Sequence, residues 1–567
     1  MDSIEKFFTG KYFVIPNYQR DYAWGRENID DLFEDIFESI ETETSHYIGT
    51  FILSKNENEE EYKVVDGQQR LTTITMIINA VINNLTDETD KIIFKDKYVF
   101  SRGAWKLELL NENKEYFRKL LNDESPIIEN KSQKLLEEAY NHIKSRISNL
   151  SERNISQIEF LNAITNLETM EFLEKNDGKA IRIFQTVNDR GRPLSNMEKA
   201  KSLLIYYSNR FLDAELDDVI NEKFGGIFKN FNQIKELGEE YDITLISQKR
   251  FNEDSVMRYH FLAFQNDHYD YNATINDVLE IFLKSNLKTI KTDTNLLRIF
   301  ITKYIEDLSV FFSAFLDIVK RLSQTEYYKI FAIQDISAFL YPLLIRLETR
   351  KLLNKQSGYL NYTFLELIEL ADMRVYKIRG TDPAKDISLL AKDSSILTEE
   401  EIKNKLIGFI NNFMNNNEFK NRLEGNIYGN RALRRIFIEF DEYINGSSYD
   451  LNKLININKS IPTVEHIFPQ EEAFDFPSHG FDSIDEYLNK IHNIGNLLLL
   501  EKTVNSSCKN RNPEIKISDS KYYERSNFKA VIDFVSKMRT RDQSFSSNDI
   551  IIRTTELSCF AMETWKM

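Results

Sequence analysis

Residues that could perform acid–base and metal chemistry collect near the C-terminus of the 567-residue chain. Glu465 and His466 lie between Val464 and Ile467 in a segment with the pattern of a strand, and Asn496 and Asn505 follow further along. A neutral imidazole with a pKa near physiological pH can deprotonate water. Carboxylate and amide oxygens are ligands for a hard divalent cation such as Mg²⁺ or Mn²⁺. This set of side chains therefore predicts metal-assisted attack of water on a phosphate ester.

Each of these side chains receives a role from its chemistry. His466 is the predicted general base, and Asn496 is expected to hold the histidine loop through hydrogen bonds to its backbone. Glu465 and Asn505 are the predicted metal ligands, and Lys509, one turn beyond Asn505, is expected to contact phosphate. A lone histidine in an apolar strand usually packs, but the complete set is much less expected by chance.

Three elements must position these residues. Val464–Ile467 has the pattern of a strand, Ile494–Leu500 has that of a second strand, and Asn505 lies early in a predicted helix. Strand, strand and helix in this order is the ββα-metal layout of an HNH nuclease. Two other histidines are weaker candidates: His492 is expected only to pack, and His479 to lie on the surface.

The charge of the chain bears on its partners. A formal net charge of −16 counts against a protein that coats DNA without specificity. Residues 501–541, however, hold ten Lys or Arg against five Asp or Glu. Because this basic stretch coincides with the predicted metal site, we expect local contact with DNA there.

A second polar cluster, Asp66-Gly67-Gln68-Gln69-Arg70, lies near the N-terminus. The β-like runs Tyr47–Leu53 and Glu61–Val65 precede it as a predicted hairpin, and apolar residues at helical spacing follow it. The cluster is therefore expected on a strand-to-helix turn, where backbone N–H groups and Arg70 favour phosphate. An alternative of equal weight is a buried Arg–Asp network that only fixes the turn.

Composition predicts a large protein that is mainly α-helical with small α+β ends. The length exceeds one ordinary core, so three domains are expected: 1–205 with a helical insert at about 86–178, a helical middle at 206–455, and 456–567. Two cysteines without CxxC spacing argue against a disulfide framework and a zinc knuckle. Without a membrane-length apolar run, we expect a cytoplasmic protein that binds no membrane.

The motifs together resemble the GmrSD-type family of modification-dependent (type IV) restriction enzymes. A GmrS-like half is marked by IPxYQRxYxW, DGQQRLTT and FxxxNxRGxxLS, and a GmrD-like half by EHIxPQ and GNLxLL followed by Asn. In this chain they stand at Ile15–Trp24, Asp66–Thr73, Phe184–Ser195, Glu465–Gln470, and Gly495–Leu500 with Asn505.

This resemblance implies more than the residues alone. The first domain would be a ParB/sulfiredoxin-like fold that binds and hydrolyses nucleoside triphosphate, and the last an HNH endonuclease that requires a divalent metal. The implied nucleotide-binding residues are Gln19, Arg20, Asp66, Gly67, Gln68, Gln69, Arg70 and Thr72. The implied substrate is modified phage DNA, such as DNA carrying glucosylated hydroxymethylcytosine, and related fused proteins sense phosphorothioate. The oligomeric state stays open, with a homodimer as one option.

Two other functions remain open from the sequence. One is a nucleotide-responsive DNA-binding regulator with a vestigial nuclease, against which the intact Glu465, His466, Asn496 and Asn505 argue. The other is an RNA-cleaving toxin on the same scaffold, since nothing in the sequence excludes RNA.

Overall fold

The computed structural model of the chain describes residues 2–16, 21–42, 44–55, 60–109, 113–175, 195–472, 474–541 and 544–567. The fold is mostly helical with small sheets, as the sequence predicts. The chain divides into two compact units, one of residues 1–232 with 275–309 and the other of 233–274 with 310–567. The segment 206–455, predicted as a middle domain, contributes to both units; the three-domain division stays a prediction.

The first unit contains a six-stranded sheet of order β1-β8-β3-β4-β2-β7. Its chain also forms the separate pair β5–β6. The strands are β1 Asp2–Ser3, β2 Phe13–Val14, β3 Tyr47–Ser54, β4 Tyr62–Asp66, β5 Phe100–Ser101, β6 Ala104–Trp105, β7 Leu107–Glu108 and β8 Glu168–Glu174. Strand β3 is antiparallel to β4, which confirms the predicted hairpin, and parallel to β8.

Helices cover this sheet and build the rest of the first unit. They are Ile4–Phe8, Arg26–Glu41, Gln68–Asn84, Glu88–Tyr98, Asn113–Leu121, Lys131–Ser148, Gln157–Asn166, Asn196–Phe211, Ile275–Asp277, Val278–Lys284 and Ser285–Ile290, with a 3₁₀ turn at Leu150–Arg153; Asp217–Glu240 and Thr294–Lys320 run through both units. Helix Gln68–Asn84 is buried along nearly its whole length, so the polar cluster at its start is anchored to the core. The predicted helical insert contains helices, but it also contributes β5, β6, β7 and β8, of which β7 joins the sheet beside β2 and β8 joins it beside β3.

The second unit is an assembly of helices with two small hairpins. Its further helical segments are Thr244–Ser247, Glu253–Ala263, Thr325–Tyr328, Lys329–Ile333, Ala338–Leu340, Tyr341–Thr349, Phe364–Ala371, Asp372–Ile378, Ala384–Asp393, Glu399–Phe413, Asn416–Glu424, Leu433–Asn445, Leu451–Ser460, Ile484–Lys490, Ile494–Asn496, Lys502–Cys508, Pro513–Ser518, Tyr523–Arg525, Lys529–Arg539 and Ser547–Thr564. Its strands are β9 Gln356–Tyr359, β10 Tyr362–Thr363, β11 Thr463–His466 and β12 Leu497–Leu500. Among the described residues, no helix is long and apolar enough to cross a membrane.

Candidate active site

The C-terminal motif residues lie on a hairpin followed by a helix. Strands β11 and β12 pair antiparallel, with His466 opposite Leu497 and Glu465 opposite Leu498, and helix Lys502–Cys508 follows directly. The second strand begins at Leu497 rather than at the predicted Ile494. Residues 494–496 form a single 3₁₀ turn, because Asn496 directs its amide to the backbone of the neighbouring loop.

His466 is buried at the end of β11 and contacts a second histidine. Its Nε2 lies 3.1 Å from Nδ1 of His492, and Nε2 of Gln470 lies 3.4 Å from its Nδ1. Burial, with the charges of His492 and Lys516, lowers the pKa of His466 to about 3. The imidazole is therefore neutral at physiological pH, the form that can accept a proton, but this pKa lies well below the value near physiological pH that the sequence predicts and makes the ring a weaker base.

His492 takes a larger part than the sequence predicts. Its ring stacks on Tyr428 at a centroid distance of 5.3 Å, and the Tyr428 ring lies 4.3 Å from that of His466. The carbonyl of His492 also accepts a hydrogen bond from the backbone N–H of Ile427 at 3.1 Å. One imidazole must donate to the other, so this contact orients the His466 ring and couples the tautomers of the two histidines. No motif at Tyr428 signals this contact.

Glu465 lies on the opposite face of β11 from His466, as neighbouring residues in a strand must. Its Oε1 accepts hydrogen bonds from Nζ of Lys516 at 2.7 Å and from the Tyr523 hydroxyl at 3.2 Å. Burial raises the pKa of Glu465, and the charge of Lys516 opposes that rise. The structure therefore brings Glu465 together with a buried lysine rather than with His466.

Asn505 shares the face of β11 that Glu465 occupies. Its Nδ2 donates to Oγ1 of Thr463 at 2.8 Å and to the carbonyl of Val464 at 3.3 Å. Thr463 lies two residues before Glu465, so both side chains are on one face of the strand. Since the amide nitrogen is the donor in both contacts, the amide oxygen is the atom that could bind a cation.

A carboxylate oxygen and an amide oxygen are ligand types that a hard divalent cation prefers. Within the described part of the chain, no three His, Cys, Asp or Glu side chains gather as a metal cluster. A cation here would rest on the carboxylate of Glu465 and the amide oxygen of Asn505, with water and substrate as further ligands. This arrangement suits Mg²⁺, which keeps several waters when it binds to protein.

Asn496 is fully buried and ties the histidine loop together. Its Oδ1 accepts from the backbone N–H of Phe468 at 2.9 Å, and its Nδ2 donates to the carbonyls of Phe468 at 3.1 Å and Ile491 at 2.8 Å. Its own carbonyl accepts from the N–H of Ile467 at 2.8 Å. Both segments that flank the His466–His492 pair are thus fixed by one amide.

Gly495 leaves no room for a side chain. A Cβ there would lie 2.1 Å from the carbonyl oxygen of Ile550 and 2.6 Å from the backbone nitrogen of Thr554, both in helix Ser547–Thr564. We expect Gly495→Ala to lower the free energy of unfolding of this unit by about 1–3 kcal/mol, because the helix must shift. Chemical denaturation measures the change. The matched control is Gly408→Ala, at a helix position with nothing within 4 Å of the new Cβ, where the loss should be absent.

The basic stretch 501–541 divides between structural and exposed cations. Lys516 is buried against Glu465, Arg539 is bonded to Glu524, and Arg511 donates to the carbonyls of Ser507 and Cys508. Exposed positions include Lys502, Lys509, Lys521, Arg525, Lys529, Lys537 and Arg541. Lys509 follows the end of helix Lys502–Cys508 with a φ of 47°. His479, predicted on the surface, is half-buried and lies 3.1 Å from Glu514.

The N-terminal cluster forms the predicted strand-to-helix turn. Strand β4 ends at Asp66, Gly67 adopts the left-handed φ of 91°, and the helix begins at Gln68. A Cβ on Gly67 would lie 2.3 Å from the Phe51 ring, so glycine is required twice over. Gln69 serves the fold: its amide accepts from the N–H of Ala23 at 2.7 Å and donates to the carbonyl of Asp21 at 3.0 Å.

Arg70 packs against strand β3. Its Nη1 donates to the carbonyl of Thr50 at 3.2 Å, and its guanidinium lies 5.5 Å from the centre of the Phe51 ring. Burial lowers the pKa of Arg70, and the charge of Asp66 opposes that change. The buried Arg–Asp network that the sequence offers as an alternative is thus partly present. The guanidinium of Arg70 has further N–H donors that could bind an anion.

Other predicted nucleotide-binding residues lie in different settings. Thr72 is buried, and its hydroxyl donates to the carbonyl of Gln68 at 2.8 Å within the helix. Gln19 and Arg20 lie outside the described residues, as do the third motif's positions up to Leu194. Ser195, which closes that motif, forms a capping box with Glu198 at the start of helix Asn196–Phe211.

Comparison with known families agrees with this arrangement at both ends of the chain. Residues 4–205 match the model of the GmrSD restriction endonuclease N-terminal domain, and residues 413–557 match that of the C-terminal domain. The chain belongs to the GmrSD-type restriction endonucleases. A comparison with curated proteins gave no match. The C-terminal match includes the whole β11–β12 hairpin and Tyr428, so the histidine pair lies inside the C-terminal domain of a GmrSD-type enzyme.

Proposed function

We propose that this GmrSD-type enzyme is an NTP-regulated, modification-dependent DNA endonuclease that cuts phage DNA in the cytoplasm by a one-metal HNH mechanism. The observation that carries the proposal is the buried, neutral imidazole of His466 on a hairpin that continues into a helix bearing Asn505. Metal-assisted hydrolysis needs a neutral base and oxygen ligands for the cation, and β11 carries both types of group, with His466 on one face and Glu465 on the other.

In this mechanism His466 removes the proton of the attacking water. His492 orients the ring through the contact between the two imidazoles, and Asn496 fixes the backbone on both sides of the pair. Glu465 and Asn505 would hold a Mg²⁺ or Mn²⁺ ion, which when bound neutralises charge on the phosphate. Lys509 and other exposed cations of the basic stretch would contact the DNA backbone.

The N-terminal turn would hold the nucleotide. Backbone N–H groups at the start of helix Gln68–Asn84 favour phosphate, and Arg70 belongs to the first turn of this helix, with its guanidinium bonded to the carbonyl of Thr50 in β3. Asp66, with the side chains of Gln68, Gln19 and Arg20, would complete the site. The structural contacts of Gln69 and Thr72 make them supports of the turn in this proposal rather than direct ligands.

One assay separates this function from its alternatives. Purified protein is incubated with Mg²⁺ or Mn²⁺, with and without NTP, and with glucosylated hydroxymethylcytosine DNA, phosphorothioate DNA, unmodified DNA or RNA. Metal-dependent cutting of a modified DNA that changes with NTP supports the proposal. Cutting of RNA alone supports a toxin, and binding of DNA without any cutting supports a regulator; either result contradicts the proposed endonuclease.

The two proposed metal ligands are expected to fail in different ways. Asn505→Ala should raise the metal concentration for half-maximal cutting on the order of 10–100-fold, and excess Mn²⁺ should restore the rate. Glu465→Ala should not be restored, because it also strands the ammonium of Lys516 in the interior. Titration of cutting against Mn²⁺ distinguishes them, with the exposed Asn452→Ala as the control. Cutting by the unaltered enzyme in excess EDTA would refute a metal mechanism.

A further inference from the structure

Lys516 is a buried lysine at the back of the candidate metal site. It belongs to helix Pro513–Ser518 and its side chain is 1% exposed. Its Nζ donates to Oε1 of Glu465 at 2.7 Å, to the carbonyl of His466 at 2.7 Å and to the carbonyl of Ile467 at 3.1 Å. An ammonium has three N–H donors, so these three acceptors satisfy all of them.

We propose that Lys516 is a positioning residue for the metal site, which holds the Glu465 carboxylate in place for a divalent cation and ties it to the backbone of the histidine strand. This inference rests on the metal mechanism proposed above. Lys516 connects the proposed metal ligand, Glu465, with the backbone carbonyls of His466 and Ile467. The first of these carbonyls belongs to the proposed base and the second to the loop that follows it. A single side chain thereby fixes the spacing of the ligand and the base.

The geometry favours support of the cation over competition with it. Lys516 and Tyr523 both bond to the same oxygen of Glu465, Oε1, so a cation would bind through the other oxygen. Two of the three lysine contacts are to backbone carbonyls, which a cation at Glu465 would leave in place. A buried carboxylate that keeps one anchored oxygen loses little rotamer freedom when its second oxygen binds metal.

Mn²⁺ binding to the full-length protein without DNA tests this role. Free Mn²⁺ is counted by electron paramagnetic resonance, and thermal unfolding is followed in parallel to show that each variant is folded. We expect Lys516→Met to weaken Mn²⁺ binding by about 10–100-fold. The matched control, Lys459→Met, removes an exposed lysine from helix Leu451–Ser460 and should bind Mn²⁺ as the unaltered protein does.

A second background distinguishes positioning from a general loss of structure. If Lys516 acts through Glu465, then Lys516→Met should have no further effect on Mn²⁺ affinity in a Glu465→Gln protein. A lysine that only stabilises the fold would weaken binding equally in both backgrounds, and that result would overturn the inference. Equal Mn²⁺ affinity in folded Lys516→Met and unaltered protein would do the same.

Tyr523→Phe keeps the inference testable if Lys516→Met does not fold. This change removes the other donor to Oε1 of Glu465 while preserving the buried ring. A several-fold loss of Mn²⁺ affinity would support the inference that hydrogen bonds to Oε1 hold the Glu465 carboxylate in place for the cation. Unchanged Mn²⁺ affinity would overturn that inference. Absence of Mn²⁺ binding by the unaltered protein would overturn the metal mechanism itself, together with this inference.

Discussion

We expect His466→Ala to remove DNA cutting and to leave binding of DNA and nucleotide close to normal. A general base acts in the chemical step and contributes about 10²–10⁴-fold to the rate, so its loss should fall on kcat. The structure adds that the ring is neutral and already oriented by His492. Single-turnover cutting of modified DNA measures the rate, and the same protein's affinity for that DNA is measured in parallel.

The control for this variant is His268→Ala, which removes an exposed histidine of the same compact unit. It should cut at the unaltered rate. If His466→Ala also cuts at that rate, the base is a different residue. If it fails to bind DNA, the imidazole pair is structural, and the loss of cutting is not chemical.

The sequence predicts the strands and the helix of this site better than it predicts which side chains contact one another. The patterns around β11, β12 and helix Lys502–Cys508 are local, so hydrophobic periodicity and turn residues reveal them. The neighbours that each side chain contacts depend on the packing of distant segments, which these local patterns do not reveal. Glu465 and His466 are adjacent in the chain and were assigned to one centre, yet strand geometry turns them to opposite faces.

The sequence does not predict the contacts between segments that are distant in the chain. Lys516 appeared in the sequence only as one charge in a basic stretch, and Tyr428 carried no signal at all. Their roles arise because tertiary packing brings helix Pro513–Ser518 and the segment around Ile427 against the hairpin. Burial also determines the role of polar residues in the N-terminal motif, because the side chains of Gln69 and Thr72 form hydrogen bonds with the protein backbone.

Two segments show that the position within an element can outweigh local propensity. Residues 452–458 are rich in asparagine, a residue that favours loops, yet they lie in helix Leu451–Ser460, which Asp450 caps and which buries Leu454 and Ile457. Pro342 would break the interior of a helix, but it occupies the first turn of helix Tyr341–Thr349, where a missing N–H costs nothing.

Nucleotide hydrolysis is expected to depend on Asp66 and Arg70 and to survive His466→Ala. Asp66 ends β4 and Arg70 lies in the first turn of the next helix, so carboxylate and guanidinium flank the N–H groups that favour phosphate. Arg70→Ala removes the proposed bidentate phosphate contact, and Asp66→Asn removes the charge at nearly constant shape. We expect each to lower phosphate release by about 10²-fold or more, as loss of a residue that stabilises transition-state charge does.

The structure makes Arg70→Lys the informative companion. Lysine retains the positive charge but not the planar fork, so it should restore nucleotide binding more than hydrolysis. Arg153→Ala, which removes an exposed cation from the same compact unit, serves as the control and should hydrolyse normally. Normal hydrolysis in both Asp66→Asn and Arg70→Ala would move the nucleotide site elsewhere. A third outcome would show that the two activities are independent. In that case the folded Asp66→Asn and Arg70→Ala proteins hydrolyse no nucleotide, yet they cut modified DNA at a rate that does not depend on nucleotide. Regulation requires that nucleotide binding and DNA cutting be coupled in free energy.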